Sequence, residues 1–141
     1  MGPRFATHLL QLPVQLHGIL LGRPVDLLLD SDAWRVLGFV VLCGDENERF
    51  IVYPAADQKK DAFAVQSALL LLEDVDFYRD RSRSLRSLLG GAVMSEGHEA
   101  GALRDLRVGQ DGTVEALVVE RDEALHEVAA TGARIASVSA A

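Results

Sequence analysis

Apolar and polar residues alternate over several short stretches of this chain, and turn residues separate those stretches. Residues 114–119, Val-Glu-Ala-Leu-Val-Val, are rich in β-forming side chains and follow the turn signal Gln-Asp-Gly at 110–112. Residues 103–108 mix apolar and polar positions as a half-exposed strand does. Residues 49–53 predict another strand, which returns from a turn at 44–48 and stops before a proline. The pattern therefore predicts a mainly β protein.

Helical spacing is confined to residues 76–89, where three leucines recur at the intervals of one helix face. This segment predicts a short helix in the middle of the chain. The longest apolar runs, 36–43 and 68–72, are far shorter than the ~20 residues that cross a bilayer as a helix. No membrane span is expected from them.

The sequence contains an internal repeat, which emerges when the second half of the chain is aligned with the first at one constant offset. The matched identities are Leu9 with Leu88, Leu10 with Leu89, Val14 with Val93, Gly18 with Gly97, Gly22 with Gly101, Asp26 with Asp105, Leu27 with Leu106, and Asp32 with Asp111. The second copy then lacks one residue, and the offset becomes shorter by one. At the shorter offset Val36 matches Val114, and residues 40–41 match 118–119.

Glycines and aspartates in both copies predict bends in the strands. Two nearby glycines in a β-rich segment indicate a turn followed by a bulge, which lets a short sheet curl. The aspartate that follows is expected to accept main-chain N–H bonds at the bend. The alternative is that Asp26 and Asp105 act as paired acids or metal ligands. The predicted bend residues are Gly18, Gly22, Asp26, Gly97, Gly101 and Asp105.

This succession of Leu-Leu, Val, two glycines, Asp-aliphatic, turn and Val-rich strand resembles the PRC-barrel family. That family is named for the cytoplasmic domain of the photosynthetic reaction centre H subunit, and its fold also forms the C-terminal domain of the bacterial ribosome maturation factor. Residues 9–54 carry the pattern once, with Gln11 where the family has its first glycine. Residues 88–119 carry it again with Gly90 in place, but without the strand-ending proline.

The resemblance implies a mainly β chain of two tandem small PRC-type β-barrels that dock onto other macromolecules. It carries over no catalytic residues, and fold alone does not fix function. The expected organisation is a first barrel-like unit at 5–78, an Arg- and Ser-rich linker or short helix at 79–87, and a second barrel-like unit at 88–139.

Composition and charge restrict the class of partner and the compartment. The net charge is −7, and an acidic chain is repelled by nucleic-acid phosphates and anionic membranes. The single cysteine, Cys43, allows no internal disulfide, which favours the cytoplasm. It ends an apolar run and is interpreted as a core residue. All cations except Lys59 and Lys60 are arginines, an indication of a GC-rich bacterial genome.

The predicted turns hold the few polar residues that could carry chemistry. Glu96, His98 and Glu99 suggest a metal site, but no second histidine lies at ligand spacing and the segment reads as a solvated turn. No Gly-x-Ser-x-Gly elbow, dinucleotide fingerprint or phosphate loop occurs. The sequence therefore predicts a protein that is not an enzyme and has no metal, cofactor or catalytic residue.

One basic cluster lies in the predicted linker, at residues 79–86. Its arginines, Arg79, Arg81, Arg83 and Arg86, are candidates for a phosphate or RNA contact. The alternative, which we favour, is a solvated segment whose arginines pair with the acidic parts of the chain. No aromatic residues are interleaved with them for base stacking, so nucleic acid is disfavoured as a partner.

The two copies differ in polarity at matched positions. The first copy has Leu16, Leu20, Val25, Leu28 and Leu37 where the second has Ser95, Glu99, Arg104, Arg107 and Glu115. An apolar outward face on the first copy is expected to be covered, because such patches mark contacts. The cover could be the second copy or the linker helix, a second chain, or a different protein.

These observations lead to a hypothesis of function. The chain is predicted to be a non-catalytic binding or assembly module that acts through the apolar face of the first copy and self-associates. A ribosome- or RNA-associated maturation role is the first alternative. Binding of a small ligand in the crevice between the two barrels is the second.

Overall fold

The structure is a computed structural model that describes residues 4–136, and it is mainly β with short helices. The strands are β1 (Arg4–Phe5), β2 (Val14–Leu16), β3 (Ile19–Asp30), β4 (Arg35–Cys43), β5 (Glu48–Val52), β6 (Asp57–Gln58), β7 (Phe63–Ala64), β8 (Arg83–Ser84), β9 (Ala92–Ser95), β10 (His98–Val108), β11 (Val114–Arg121), β12 (Ala124–Ala129) and β13 (Arg134–Ile135). The α-helices are α1 (Ala6–Leu9), α2 (Val75–Arg79) and α3 (Leu85–Leu88), and 3-10 turns occupy Tyr53–Ala55 and Ala68–Leu70.

The strands form two sheets. The first sheet has the order β5-β4-β3-β2-β7-β6, and the second has the order β12-β11-β10-β9-β13. The long strands β3 and β10 lie at the centre of each and pair antiparallel with their neighbours. Among the described residues, neither order returns to its first strand, so the predicted closure into two barrels is not observed.

Two short strands each pair with the sheet that is built mainly by the other half of the chain. β1, from the beginning of the chain, pairs with the end of β10, where Arg4 lies opposite Val108. β8, from the middle of the chain, pairs with the end of β3, where Arg83 lies opposite Leu29. Each of these strands leads directly into a short helix, α1 or α3. The two halves of the chain thus exchange a strand and a helix.

The core joins the two sheets rather than dividing between them. One cluster of buried side chains includes Leu27 and Phe39 from the first sheet, Leu106 and Leu117 from the second, and Leu85 from α3. Continuous apolar burial of this kind is the main stabilising contribution in a small domain. The main core is therefore shared by the two halves.

The predicted strands at 49–53, 103–108 and 114–119 correspond to β5, the end of β10 and β11. The short helix predicted within 76–89 is found at its leucines as α3, but it does not extend back to residue 76, because β8 separates α3 from α2. The physical reason is local capping, since Asp74 accepts from the Phe77 N–H and Ser84 from the Ser87 N–H. Among the described residues no helix is long and apolar enough to cross a membrane.

Candidate interaction surfaces

The outer face of the first sheet is covered by α2. Leu28, Val40 and Phe50 are completely buried there, together with Val75 of the helix. The ring of Tyr78 stacks on that of Phe50 at a centroid distance of 4.2 Å. This helix lies just before the predicted linker, so the apolar face is covered within the chain at its centre.

The five residues of the predicted interface fall into three environments. Leu28 is fully buried under α2 and is inaccessible to a partner. Val25 and Leu37 are partly buried against the same cluster. Leu16 packs partly against the main core, and Leu20 is 53% exposed. Only the Leu20 end of the predicted surface remains open.

Three exposed aliphatic side chains lie near one end of the first sheet, which we call the apolar end, and Ile19 and Leu20 point to opposite faces of it. Ile19 and Leu20 begin β3, and Leu42 lies near the end of the antiparallel neighbour β4. Their exposed fractions are 66%, 53% and 43%. The matched positions of the second sheet carry His98, Glu99 and Glu120. The apolar end therefore has no counterpart in the second sheet.

Ion pairs occupy the corresponding outer face of the second sheet. Arg107, which matches Leu28, lies 3.3 Å from Glu115 and 2.9 Å from Glu127. Arg104, which matches Val25, lies 3.1 Å from Glu120. Exposed ion pairs of this kind stabilise a protein little, but they keep the face solvated. The difference in polarity seen in the sequence thus separates a helix-covered face from an ion-paired one.

The aspartates at the predicted bends bind the exchanged helices. Asp105 accepts hydrogen bonds from the N–H and the hydroxyl of Thr7, at the start of α1. Asp26, which is 8% exposed, accepts from the Arg86 N–H at 3.2 Å and from the Ser84 hydroxyl at the start of α3. Each also accepts from the N–H of the next residue in its own strand, at 2.8 Å. These hydrogen bonds give both carboxylates a structural role.

The glycines of the repeat occupy matched backbone positions. Gly18 and Gly97 lie in the turns before β3 and β10, with φ of +81° and +80°. Gly22 and Gly101 each lie at a register shift that marks a bulge. A Cβ on Gly22 would meet the Leu42 carbonyl oxygen at 2.5 Å, so close backbone approach, rather than φ, requires glycine there.

The arginines of the predicted phosphate cluster are engaged within the chain. Arg79 pairs with Glu48 at 3.0 Å, and Arg81 lies 3.7 Å above the centre of the Phe77 ring. Arg86 donates to the main-chain oxygen of Val25. Arg83 lies within 3.5 Å of the Ser31 hydroxyl and the Ile135 oxygen. Each guanidinium group is therefore bound to a different part of the chain, and together they do not form one basic surface.

Two open clefts lie where the halves meet. One, of about 550 Å³, is lined by Ser31, Asp32, Trp34, Arg83 and residues 132–135. The other, of about 800 Å³, is lined by Arg4, residues 53–58, Gln66, Leu70, Gln110 and Asp111. Arg4 and Asp111 of the second cleft match Arg83 and Asp32 of the first. Both clefts thus combine an arginine of an exchanged strand with an aspartate from the turn that follows the strand it pairs with.

Tyr53 and Asp111 have shifted pKa values in the second cleft. Burial raises the pKa of the Tyr53 phenol above its usual range, although Arg4 nearby opposes this shift. Main-chain and hydroxyl hydrogen bonds from Thr113 lower the pKa of Asp111. Asp111 is exposed, so its shift reflects turn geometry rather than a reactive environment. Cys43 is buried, and no group of metal-ligating side chains occurs within residues 4–136.

Sequence reasoning missed β12 and the exchange of β1 and β8. Residues 124–129 alternate weakly, and their strand character comes from pairing with β11. Two-residue strands carry no periodic signal. A signal for the exchange was nevertheless available, because Arg4 and Arg83 match at the same offset as the other identities of the repeat.

Comparison with known proteins gives no identification. No family model matches the chain, and no curated protein matches it significantly.

Proposed function

We propose that this protein is a non-catalytic binding or assembly module, built from two copies of a PRC-barrel-like unit, that holds a protein partner at the apolar end of its first sheet. The observation that carries the proposal is the exposure of Ile19, Leu20 and Leu42 at one end of that sheet. A group of exposed aliphatic side chains on an otherwise acidic protein is typical of a contact surface.

The matched backbone features of the two halves support the proposed duplication. Bulges follow Leu20 and Glu99, and further bulges precede Asp26 and Asp105. The exchanged strands obey the same offset, since Arg4 opposite Val108 corresponds to Arg83 opposite Leu29. Bulges of this kind are inherited features of a fold rather than accidents of one chain.

Chemistry at the apolar end indicates a partner with an apolar surface. Burial of one leucine contributes roughly 1.5–3 kcal/mol. Two or three such side chains are therefore enough for an interaction that a single charge disrupts. The nearest cation along β3, Arg23, lies opposite Leu42, and it favours an acidic or polar rim on the partner.

A site-specific cross-link tests the proposal. A photo-reactive side chain at Leu42, introduced in cells that naturally produce the protein, should capture one defined protein. The double variant Leu20→Glu with Ile19→His, which installs the residues of the second sheet, should lose that capture. Leu69→Glu is the matched control, because Leu69 is 87% exposed but lies on a different segment.

The outcome is decisive if folding is followed at the same time. We expect the double variant to unfold at the same urea concentration as the wild type, because both side chains are already exposed. Capture that persists in the double variant, or that is lost equally in Leu69→Glu, would contradict a contact at the apolar end.

A further inference from the structure

The edge of the second sheet is an unpaired strand of useful length. β12 has six residues and, within residues 4–136, pairs only with β11. The Ala130 N–H donates to the main-chain carbonyl oxygen of Glu115 on β11. Because main-chain groups alternate in direction along a strand, those of Leu125, Glu127 and Ala129 point away from the sheet. They form a row of donors and acceptors that a further strand can use.

The corresponding edge of the first sheet is paired. Phe50 of β5 lies opposite Val40, as Glu127 of β12 lies opposite Val118. Phe50 exchanges two main-chain hydrogen bonds of 2.8 Å with Leu72. An unpaired edge is a template for another strand, and proteins normally cover such edges. Over the described part of the chain, the first sheet covers its edge with its own residues, and the second leaves β12 open.

An apolar strip accompanies this edge on the outer face of the second sheet. Phe5 of the exchanged strand, Val118 and Leu125 line a groove there, beside Arg104 and the first half of β12. Leu125 is 65% exposed and lies opposite Glu120. The strip gives an added strand an apolar surface to cover.

We propose that β12 pairs antiparallel with β12 of a second copy of this chain, so that the second sheets of two molecules become one. The proposal goes beyond the binding function assigned to the apolar end, because it uses a different sheet and a different occupant. Charge favours the antiparallel direction. It carries the acidic hairpin turn of Asp122 and Glu123 to opposite ends of the contact, whereas a parallel pair would place the two turns together.

Symmetry and charge together select the register. In an antiparallel pair related by a two-fold axis, one residue must lie opposite itself. Centring on Glu127 places two carboxylates directly opposite each other. Centring on Leu125 places Glu127 opposite Glu123. Among the registers that place no glutamate opposite another, centring on His126 pairs the most residues of β12, 124–128, so this is the register of the proposed dimer.

The register fixes which residues meet across the axis. His126 faces His126 of the second copy as a pair that shares no main-chain hydrogen bonds, since its main chain points towards β11. Leu125 and Glu127 exchange main-chain hydrogen bonds with Glu127 and Leu125 of the second copy. The dimer therefore gains four hydrogen bonds and buries Leu125 twice.

Cross-linking of single cysteines tests the register in the full-length protein. Cα atoms of directly opposite residues without mutual hydrogen bonds lie about 4.5 Å apart, which suits a disulfide. His126→Cys should give a covalent dimer of twice the mass of the chain on mild oxidation. Glu127→Cys is the control and should cross-link at least tenfold more slowly, because the two cysteines would lie diagonally. The native Cys43 is buried and should remain unreacted.

A second pair of variants tests the main-chain contact. Leu125→Pro removes an outward N–H that β11 does not use, and proline is tolerated at such an edge position. We expect a folded monomer by light scattering and circular dichroism. Leu125→Val keeps the N–H and most of the apolar side chain, and it should remain dimeric at the same concentration.

Each alternative result has a definite meaning. A wild-type monomer at all concentrations, or equal cross-linking of the two cysteine variants, overturns the β12 dimer. A dimer that is lost in Leu20→Glu but kept in Leu125→Pro would also overturn it, and would assign self-association to the apolar end. Failure of the partner capture at Leu42 leaves the β12 dimer unaffected, so the two proposals fail separately.

Discussion

Thr7 binds Asp105 through two hydrogen bonds, from its main-chain N–H at 3.0 Å and from its hydroxyl at 2.6 Å. The contact joins the first turn of α1 to the second sheet, far away along the chain. Its counterpart joins the first turn of α3 to the first sheet through Arg86 and Asp26. These carboxylates satisfy helix N–H groups that have no partner within their own helix.

Asp105→Ala should therefore destabilise the protein. The variant leaves the Thr7 N–H and the Leu106 N–H without their acceptor. Both hydrogen bonds are part-buried, so we expect a loss of about 1 kcal/mol, the lower end of the range for an unsatisfied buried group. Urea unfolding should show a lower midpoint with an unchanged slope. Asp61→Ala, at an exposed bend, is the control and should unfold like the wild type. Equal midpoints for both variants would show that the carboxylate does not hold α1.

Gly22→Ala should also destabilise the protein, because the added Cβ would clash with the neighbouring strand and not because of the φ angle. The new Cβ would lie 2.5 Å from the Leu42 oxygen and 2.8 Å from Cγ1 of Val41, and overpacking of this kind costs about 1–3 kcal/mol. Gly44→Ala is the matched control, since its Cβ would meet nothing within 4 Å. Thermal unfolding of the two variants measures the difference. A Gly22→Ala protein as stable as Gly44→Ala would mean that the strands can separate at no cost.

The Leu28→Arg variant should have a much lower free energy of unfolding than the Leu20→Glu variant. Arginine is the residue that the second sheet carries at the matched position, but Leu28 is completely buried under α2. Truncation of a buried leucine alone costs about 2–5 kcal/mol, and an unpaired buried charge adds to that cost. Leu20→Glu should change the free energy of unfolding by less than about 0.5 kcal/mol. Chemical denaturation of both, at one protein concentration, distinguishes a helix-covered face from an open one.

We expect ionisation of Tyr53 to lower the stability of the folded protein at high pH. Burial raises the pKa of this phenol in the folded state above its ordinary value of 10.0. The neutral form is therefore favoured by folding, so the contribution is complete below pH 10.0 and is lost as the pH rises towards the folded-state pKa. Tyr53→Phe should have a flatter profile of unfolding free energy above that pH. The same steep loss in both proteins would assign alkaline unfolding to another group.

Sequence patterns predicted the mainly β character, but not how the halves connect. Alternation identified β11 and the end of β10, because side-chain periodicity directly reflects a half-buried sheet. The constant offset of the repeat matched Asp26 with Asp105 before the structure showed that they make corresponding bonds. The exchange of β1 and β8 could not be predicted from periodicity, because it depends on tertiary pairing of two-residue strands.

Of the five residues predicted for the candidate surface, only Leu20 is exposed. The polarity difference between Leu28 and Arg107 correctly indicated that the two outer faces differ, but a sequence does not say which segment covers an apolar face. α2 has only Val75 and Tyr78 directed at the sheet, too few residues for a periodic signal. Leu20 and Leu42 remain exposed beside this cover.

The exchange of β1 and β8 has an evolutionary consequence. A single repeat unit, on the proposed duplication, would have had to place its first strand and helix in the sheet of another molecule. Such an ancestor would have been an obligate strand-swapped homodimer, and gene fusion would have converted it into one chain. The fused halves would then have been free to diverge, one towards a helix-covered face and the other towards an ion-paired one. Expression of either half alone should therefore recreate the ancestral requirement for a second molecule.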